Sequence, residues 1–310
     1  MKKIIIHIYI VLAIFVIGFI LGSFLDLSLM EAIFSEKNGF GLFMSAIGTM
    51  PGYGILSILG GAMFSIALKK EGFSTPYRVI FYILAVAGFG ISIYFSGREF
   101  FGENGFYGAA PKWVGYFIAL PFMGGLAFLG YYLGLKSDND RLWILIIVLM
   151  IAIFLALVPG VTALKSIFHR PRYRIVVNYG YEGFHHWWEP FRNYKDLINN
   201  VNGLAGKEIL TKEEFKSFPS GHAGASSVFM LFAAFLPLFN KKYQKLQLLL
   251  FYVGLAWVLF VSFTRILVGA HFLSDVSMGA ILTTIFMIVS YYVVVHGKFG
   301  LPKEEQIEES

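Results

Sequence analysis

The chain predicts an all-α fold, a polytopic membrane bundle of about eight transmembrane helices, and three observations lead there. Of its 310 residues, 57% are hydrophobic and only 14% charged, where a soluble domain carries about 25% charged residues. Mean hydropathy is +0.69. Uncharged runs at 4–24 and 142–164 each reach the roughly 20 residues that cross a bilayer as a helix.

In chain order, spans are expected at about 4–24, 51–68, 77–97, 113–135, 142–164, 222–239, 246–264 and 272–296. Lys2 and Lys3 ahead of the first run read as an uncleaved signal anchor. The half-polar stretch 27–50 mixes Glu31, Glu36 and Lys37 with Phe34, Phe40 and Phe43, which suits an interfacial helix after the first span. A long polar loop, 170–218, follows the fifth span and holds Trp187 and Trp188, residues suited to the headgroup level. The acidic tail 303–310 is expected to be disordered.

Cations orient the bundle. Lys2 and Lys3, Lys69, Lys70 and Arg78, Lys136 and Arg141, and Lys241, Lys242 and Lys245 fall on one side, with Lys298 and Lys303 after the last span. The opposite short loops hold only Lys37, Arg98 and Lys112. Both termini are therefore expected in the cytoplasm and the long loop outside. That topology brings three distant segments to one membrane face: 165–174, 219–222 and 264–275.

The +6 formal charge is dispersed over loops, with no basic run or arm, so nucleic acid is not an expected partner. The absence of cysteine excludes disulfides and thiolate metal sites. Glu182, His185, His186 and Glu189 form the only histidine–carboxylate cluster, and adjacent histidines point apart in regular structure, so no metal or other cofactor is expected.

The three segments carry the reactive groups. In Pro219-Ser220-Gly221-His222 the polar loop ends and a small-residue helix begins. Free amides and the helix dipole there suit an anion, although a plain N-cap explains Pro, Ser and Gly equally well. In Thr264-Arg265-x5-His271-x3-Asp275, helical spacing would put His271 and Asp275 one turn apart, the carboxylate fixing the imidazole tautomer. Arg265 offers a fork of donors for phosphate oxygens. Lys165 and Arg172 flank a basic turn that snorkelling alone could explain, but with the other segments they form further positive walls.

These segments resemble the signature of the type 2 phosphatidic acid phosphatases, the PAP2 superfamily: K-x6-R-P, P-S-G-H and S-R-x5-H-x3-D. Thr264 stands in the serine position, and Tyr173 where the first motif has proline. Aligning on Arg170-Pro171 would put Ala163 in the lysine position, so the frame of Lys165 and Arg172 is preferred. The usual layout has one span before the pair preceding the first motif, and this chain has three. The resemblance therefore implies extra helices with an interfacial segment at 1–110, a catalytic membrane domain at 111–297 and a cytoplasmic tail at 298–310.

By the same resemblance, His271 is the nucleophile of a phosphohistidine intermediate, Asp275 orients it, and His222 is the general acid. Lys165, Arg172, Ser220, Gly221 and Arg265 hold the phosphoryl oxygens. The implied function is a metal-independent phosphatase at the outer face of the cell membrane. Its partners would be the bilayer and a lipid phosphate or diphosphate, of undecaprenyl diphosphate, phosphatidylglycerol phosphate or phosphatidate type. Phosphotransfer to another acceptor, lipid transport or scrambling, and a vanadate-binding haloperoxidase are alternatives. The span interiors are nearly free of ionisable residues, which disfavours transport, and eight spans disfavour a haloperoxidase. Oligomeric state stays open.

Overall fold

The regular structure is helical throughout the described residues, which in this computed structural model are 2–69, 73–100, 113–178, 183–206 and 208–296. The acidic tail, the boundary expected at 110, and Lys70, Lys112, Glu182, Lys298 and Lys303 lie outside them. The helices in order are α1 (Lys2–Ile33), α2 (Gly39–Ile47), α3 (Met50–Lys69), α4 (Thr75–Arg98), α5 (Trp113–Leu135), α6 (Leu142–Leu155), α7 (Ala163–Phe168), α8 (Tyr173–Asn178), α9 (Tyr194–Ala205), α10 (Gly221–Phe232), α11 (Leu236–Phe239), α12 (Gln244–Leu267) and α13 (Leu273–His296). A π-helical stretch, Ala156–Thr162, joins α6 to α7 within one span and contains Pro159. Eight of the resulting spans are long and apolar enough to cross a membrane. Their outward faces carry residues such as Phe117 and Phe128, both 71% exposed, which suit hydrocarbon and not water.

The stretch 27–50 divides in two. Residues 27–33 continue α1, whose 32 residues measure about 48 Å and overrun the ~30 Å hydrocarbon core. The short helix expected after it is α2, capped by Asn38, whose side-chain oxygen accepts from the Gly41 amide at 2.9 Å. Gly41, Met44, Ser45 and Ala46 are buried, and the helix packs against α12, so its inner face belongs to the protein interior.

α10 is the central post, enclosed by α3, α12 and α13. Its small residues make that possible. Ala225 meets the backbone of α3 at Gly52, and Gly279 of α13 lies against the Ser220 carbonyl, approaches a Cβ would block. α3, α4 and α5 pack together as a second group, and α1 lies along α13. At one end of the bundle, Lys69 Nζ donates to the Leu135 carbonyl at 3.0 Å, Asn139 to Leu238 at 2.9 Å and Asn240 to Lys136 at 3.0 Å. These bonds gather the ends of α3, α5 and α11. The segments 165–174, 217–222 and 264–275 meet at the other end.

Candidate active site

The turn between α12 and α13 places the central histidine. Gly269, with φ of +68°, reverses the chain. The amides of Ala270 and His271 both donate to the Arg265 carbonyl, at 3.1 and 3.2 Å. A side chain at Gly269 would be strained there and would press on Phe34. His271 therefore sits ahead of α13, while Asp275 occupies that helix's first turn and accepts from the Phe272 amide at 2.8 Å. The two do not share a helical face, as their spacing predicts.

The expected direct bond between them is also replaced. His271 Nδ1 lies 2.7 Å from the Ser217 carbonyl and 3.8 Å from Asp275 Oδ2. A carbonyl can only accept, so Nδ1 bears the hydrogen and Nε2 presents its lone pair. Burial holds the His271 pKa well below the ordinary histidine value, with Lys165 and Arg172 adding to it and Asp275 opposing. The ring is neutral, the state a nucleophile needs.

Ser220 is fully buried and caps α10, its hydroxyl accepting from the Ala223 amide at 3.4 Å, while its own amide donates to the Asp275 carbonyl at 2.9 Å. The amides of Gly221 and His222 belong to the first helical turn, where no intrahelical acceptor exists and the dipole is positive. The His222 and His271 ring centroids are 6.5 Å apart, and His222 Nε2 lies 3.0 Å from the Ser45 carbonyl. Gly221 leaves Lys165 Nζ beside it, 3.9 Å from where a Cβ would stand.

Lys165, Arg172 and Arg265 complete the site. Arg172 lies within electrostatic range of both Lys165 and Arg265, and Lys165 and Arg172 lie within range of His271. Nη1 of Arg265 donates to the Ser45 hydroxyl. The Nε atoms of Arg172 and Arg265 are both buried without a hydrogen-bond partner. Buried donors are almost always satisfied, and buried cations are costly without counter-charge. Two orphaned guanidinium donors, an ammonium and a helix N-terminus fit an anion with several oxygens. All eight residues singled out in the sequence thus gather at one end of the bundle.

The structure adds residues that the sequence reading passed over. Arg170, 1% exposed, donates from Nη1 to Asp275 Oδ1 at 2.6 Å and to Ser274 Oγ at 2.8 Å, from Nη2 to Asp26 Oδ2 at 2.9 Å, and from Nε to the His185 carbonyl at 2.8 Å. Asp26, on α1, also accepts from the Ser274 amide at 3.0 Å and from its hydroxyl. Gly22, a turn earlier, lets the two backbones come this close. Ser217 donates its hydroxyl to Asp275 Oδ2. Asp275 is therefore pinned from three sides before it bears on His271. Arg174 and Glu214 form a buried two-pronged pair, at 2.7 and 2.5 Å, that latches the long loop near the site.

Two departures from the resembled signature have local accounts. Tyr173 stands at the first position of α8, where proline is favoured but not required, and its ring packs edge-on against Phe34 at 5.1 Å. The Thr264 hydroxyl is spent on its own helix, donating to the Val261 carbonyl at 2.8 Å. His185 and His186 turn to different rings, Phe191 and Trp188.

The model of the PAP2 superfamily matches residues 141–298, just over half of the chain. Neither a curated protein nor a solved structure matches. The chain belongs to the PAP2 superfamily.

Proposed function

We propose that this PAP2 superfamily member is a membrane-embedded phosphatase that hydrolyses a lipid phosphate or diphosphate through a phosphohistidine intermediate. The observation that carries this reading is the pair of buried, unpartnered Nε donors of Arg172 and Arg265 beside two facing histidines. A bound phosphoryl group would give those donors acceptors and the cations a counter-charge.

In the first step His271 Nε2 attacks phosphorus while the bond to the leaving oxygen breaks, and His222 gives that oxygen its proton. In the second, water attacks the phosphohistidine, His222 takes back a proton, and inorganic phosphate leaves with His271 neutral again. Lys165, Arg172, Arg265, Ser220 and the Gly221 amide hold the equatorial oxygens and stabilise their charge throughout. Asp275 and the Ser217 carbonyl support the positive charge that His271 acquires when phosphorylated.

The substrate keeps an acyl or prenyl tail in the bilayer and presents its phosphate to the end of the bundle. Undecaprenyl diphosphate, phosphatidylglycerol phosphate and phosphatidate are of that type. The cation asymmetry of the loops supports an extracytoplasmic site with both termini in the cytoplasm. Purified protein in detergent, offered a panel of lipid phosphates, should release free phosphate and be inhibited by vanadate, a mimic of pentacoordinate phosphorus. Absence of release from every member of the panel, or insensitivity to millimolar vanadate, would count against the reading.

A further inference from the structure

The two facing histidines are backed in the same manner. Nδ1 of His271 has the Ser217 carbonyl at 2.7 Å and a carboxylate oxygen, Asp275 Oδ2, just beyond it at 3.8 Å. Nε2 of His222 has the Ser45 carbonyl at 3.0 Å and a carboxylate oxygen, Glu99 Oε2, just beyond it at 3.6 Å. The second set comes from α2 and from the residue that ends α4, both outside residues 141–298 that match the family.

Both members of that second set are held in place. Arg265 donates to the Ser45 hydroxyl, which in turn donates to the Gly41 carbonyl at 2.9 Å. The next turn of chain is fixed at Gly48, whose carbonyl accepts from Trp257 at 2.8 Å and from Ser226 at 3.1 Å. Glu99 Oε1 is paired with Arg98 Nε at 3.3 Å, which leaves Oε2 towards His222. Arg98 itself rests over the Phe95 ring at 4.9 Å, and Phe95 stacks on Tyr53 of α3.

We infer that Glu99 is a positioning residue for His222: with the Ser45 carbonyl it holds one ring N–H and leaves the other ring nitrogen to face the leaving oxygen. This rests on the phosphatase reading above. A protonated His222 would stand beside Lys165 and Arg265, both of its own sign, and Glu99 is the carboxylate that faces it. The carbonyl alone can orient the ring, whereas a carboxylate also stabilises its positive charge. During transfer the proton moves from His222 to the leaving oxygen as the P–O bond breaks, and Glu99 keeps its charge throughout.

General-acid support matters in proportion to how poor the leaving group is. The test uses full-length wild type and Glu99→Gln on tail-matched monophosphates whose leaving alcohols run from a simple alkanol, through a fluorinated alkanol, to a nitrophenol. For Glu99→Gln, kcat/KM should fall about tenfold on the alkanol ester and by less than about twofold on the nitrophenyl ester. In a His222→Asn background, Glu99→Gln should add nothing further. Should Glu99→Gln fail to fold, Glu99→Asp, which withdraws the charge by one methylene, should steepen the same dependence. An equal loss across the series, or no loss on the alkanol ester, overturns the inference and leaves the phosphatase reading standing. A wild type that hydrolyses none of the series and no lipid phosphate overturns both.

Discussion

The two halves of the bundle meet the site in different ways. The C-terminal half brings every group that would touch phosphorus, its oxygens or the transferred proton: Lys165, Arg172, the Ser220–His222 turn, Arg265 and His271. Among the described residues, the N-terminal half reaches the site with the polar groups of Asp26, Ser45 and Glu99, each held to a residue of the other half, and with the Phe34 ring. The proposed reacting groups are thus concentrated in one stretch of chain, while the groups that hold them come both from that stretch, as Ser217, Arg170 and Asp275 do, and from the other half. Reach explains the division. Asp275, Glu214 and the Ser217 carbonyl supply part of the counter-charge and acceptors that these buried cations and histidines need, and Asp26, Ser45 and Glu99 add the rest from neighbouring helices.

This contrast predicts graded effects. The largest is His271→Asn, which removes the proposed nucleophile and should lower phosphate release at least about 10⁴-fold while the protein still folds. Retained turnover would unseat His271. Next comes Arg170→Met, which leaves two buried carboxylates facing each other. It should cost about 3–5 kcal/mol of stability, read as a lowered thermal midpoint in detergent, together with most of the activity. Asp26→Asn keeps Arg170 paired with Asp275 and should cost less, about 1–3 kcal/mol, with kcat reduced and KM little changed. If Asp26→Asn silences the protein as completely as His271→Asn, the division between reacting and aiming groups is wrong.

A smaller effect concerns protonation. The folded-state pKa of His271 is depressed, so the folded protein binds that proton less readily than the unfolded chain does. Its contribution to stability is present above about 6.5, the unfolded histidine value, and declines as pH falls below it. Imidazole-selective NMR should find His271 neutral at pH 6, and a half-protonated ring there would refute the assignment. The smallest effect is Thr264→Ser. The hydroxyl is committed to the Val261 carbonyl in either residue, so turnover should be unchanged. A marked loss would mean that the hydroxyl reaches the phosphate.

Much of this was legible in the sequence, and the reason is physical. Spans announce themselves because uncharged runs must match bilayer thickness, and the reacting residues are legible because phosphoryl chemistry needs particular side chains in a narrow stretch. The supports carry weaker signals. Ser45 acts chiefly through its backbone carbonyl, which any residue could supply, so nothing in its identity reveals it. Arg170 lies within the basic turn but two residues from the preferred alignment frame, where it passes for a headgroup contact. Asp26 did carry a signal: it is the single carboxylate in the apolar run 4–30, and an ionisable residue in such a run is a functional candidate by default. The helical spacing of His271 and Asp275 is not realised because α13 begins only at Leu273, so His271 lies ahead of the helix and the Ser217 carbonyl takes the nearer place at Nδ1.

The tie between α1 and α13 bears on how the protein is made. Asp26 belongs to α1, but its partners stand 144 residues later, at Arg170, and 248 residues later, at Ser274. Until Arg170 has been synthesised, the chain holds this carboxylate near the membrane without its guanidinium partner, and until Ser274 follows it lacks two further donors. α1 cannot settle against α13 before that helix has been inserted. Chains halted before residue 170 should therefore be caught by membrane quality control, and Asp26→Asn should let those fragments persist longer.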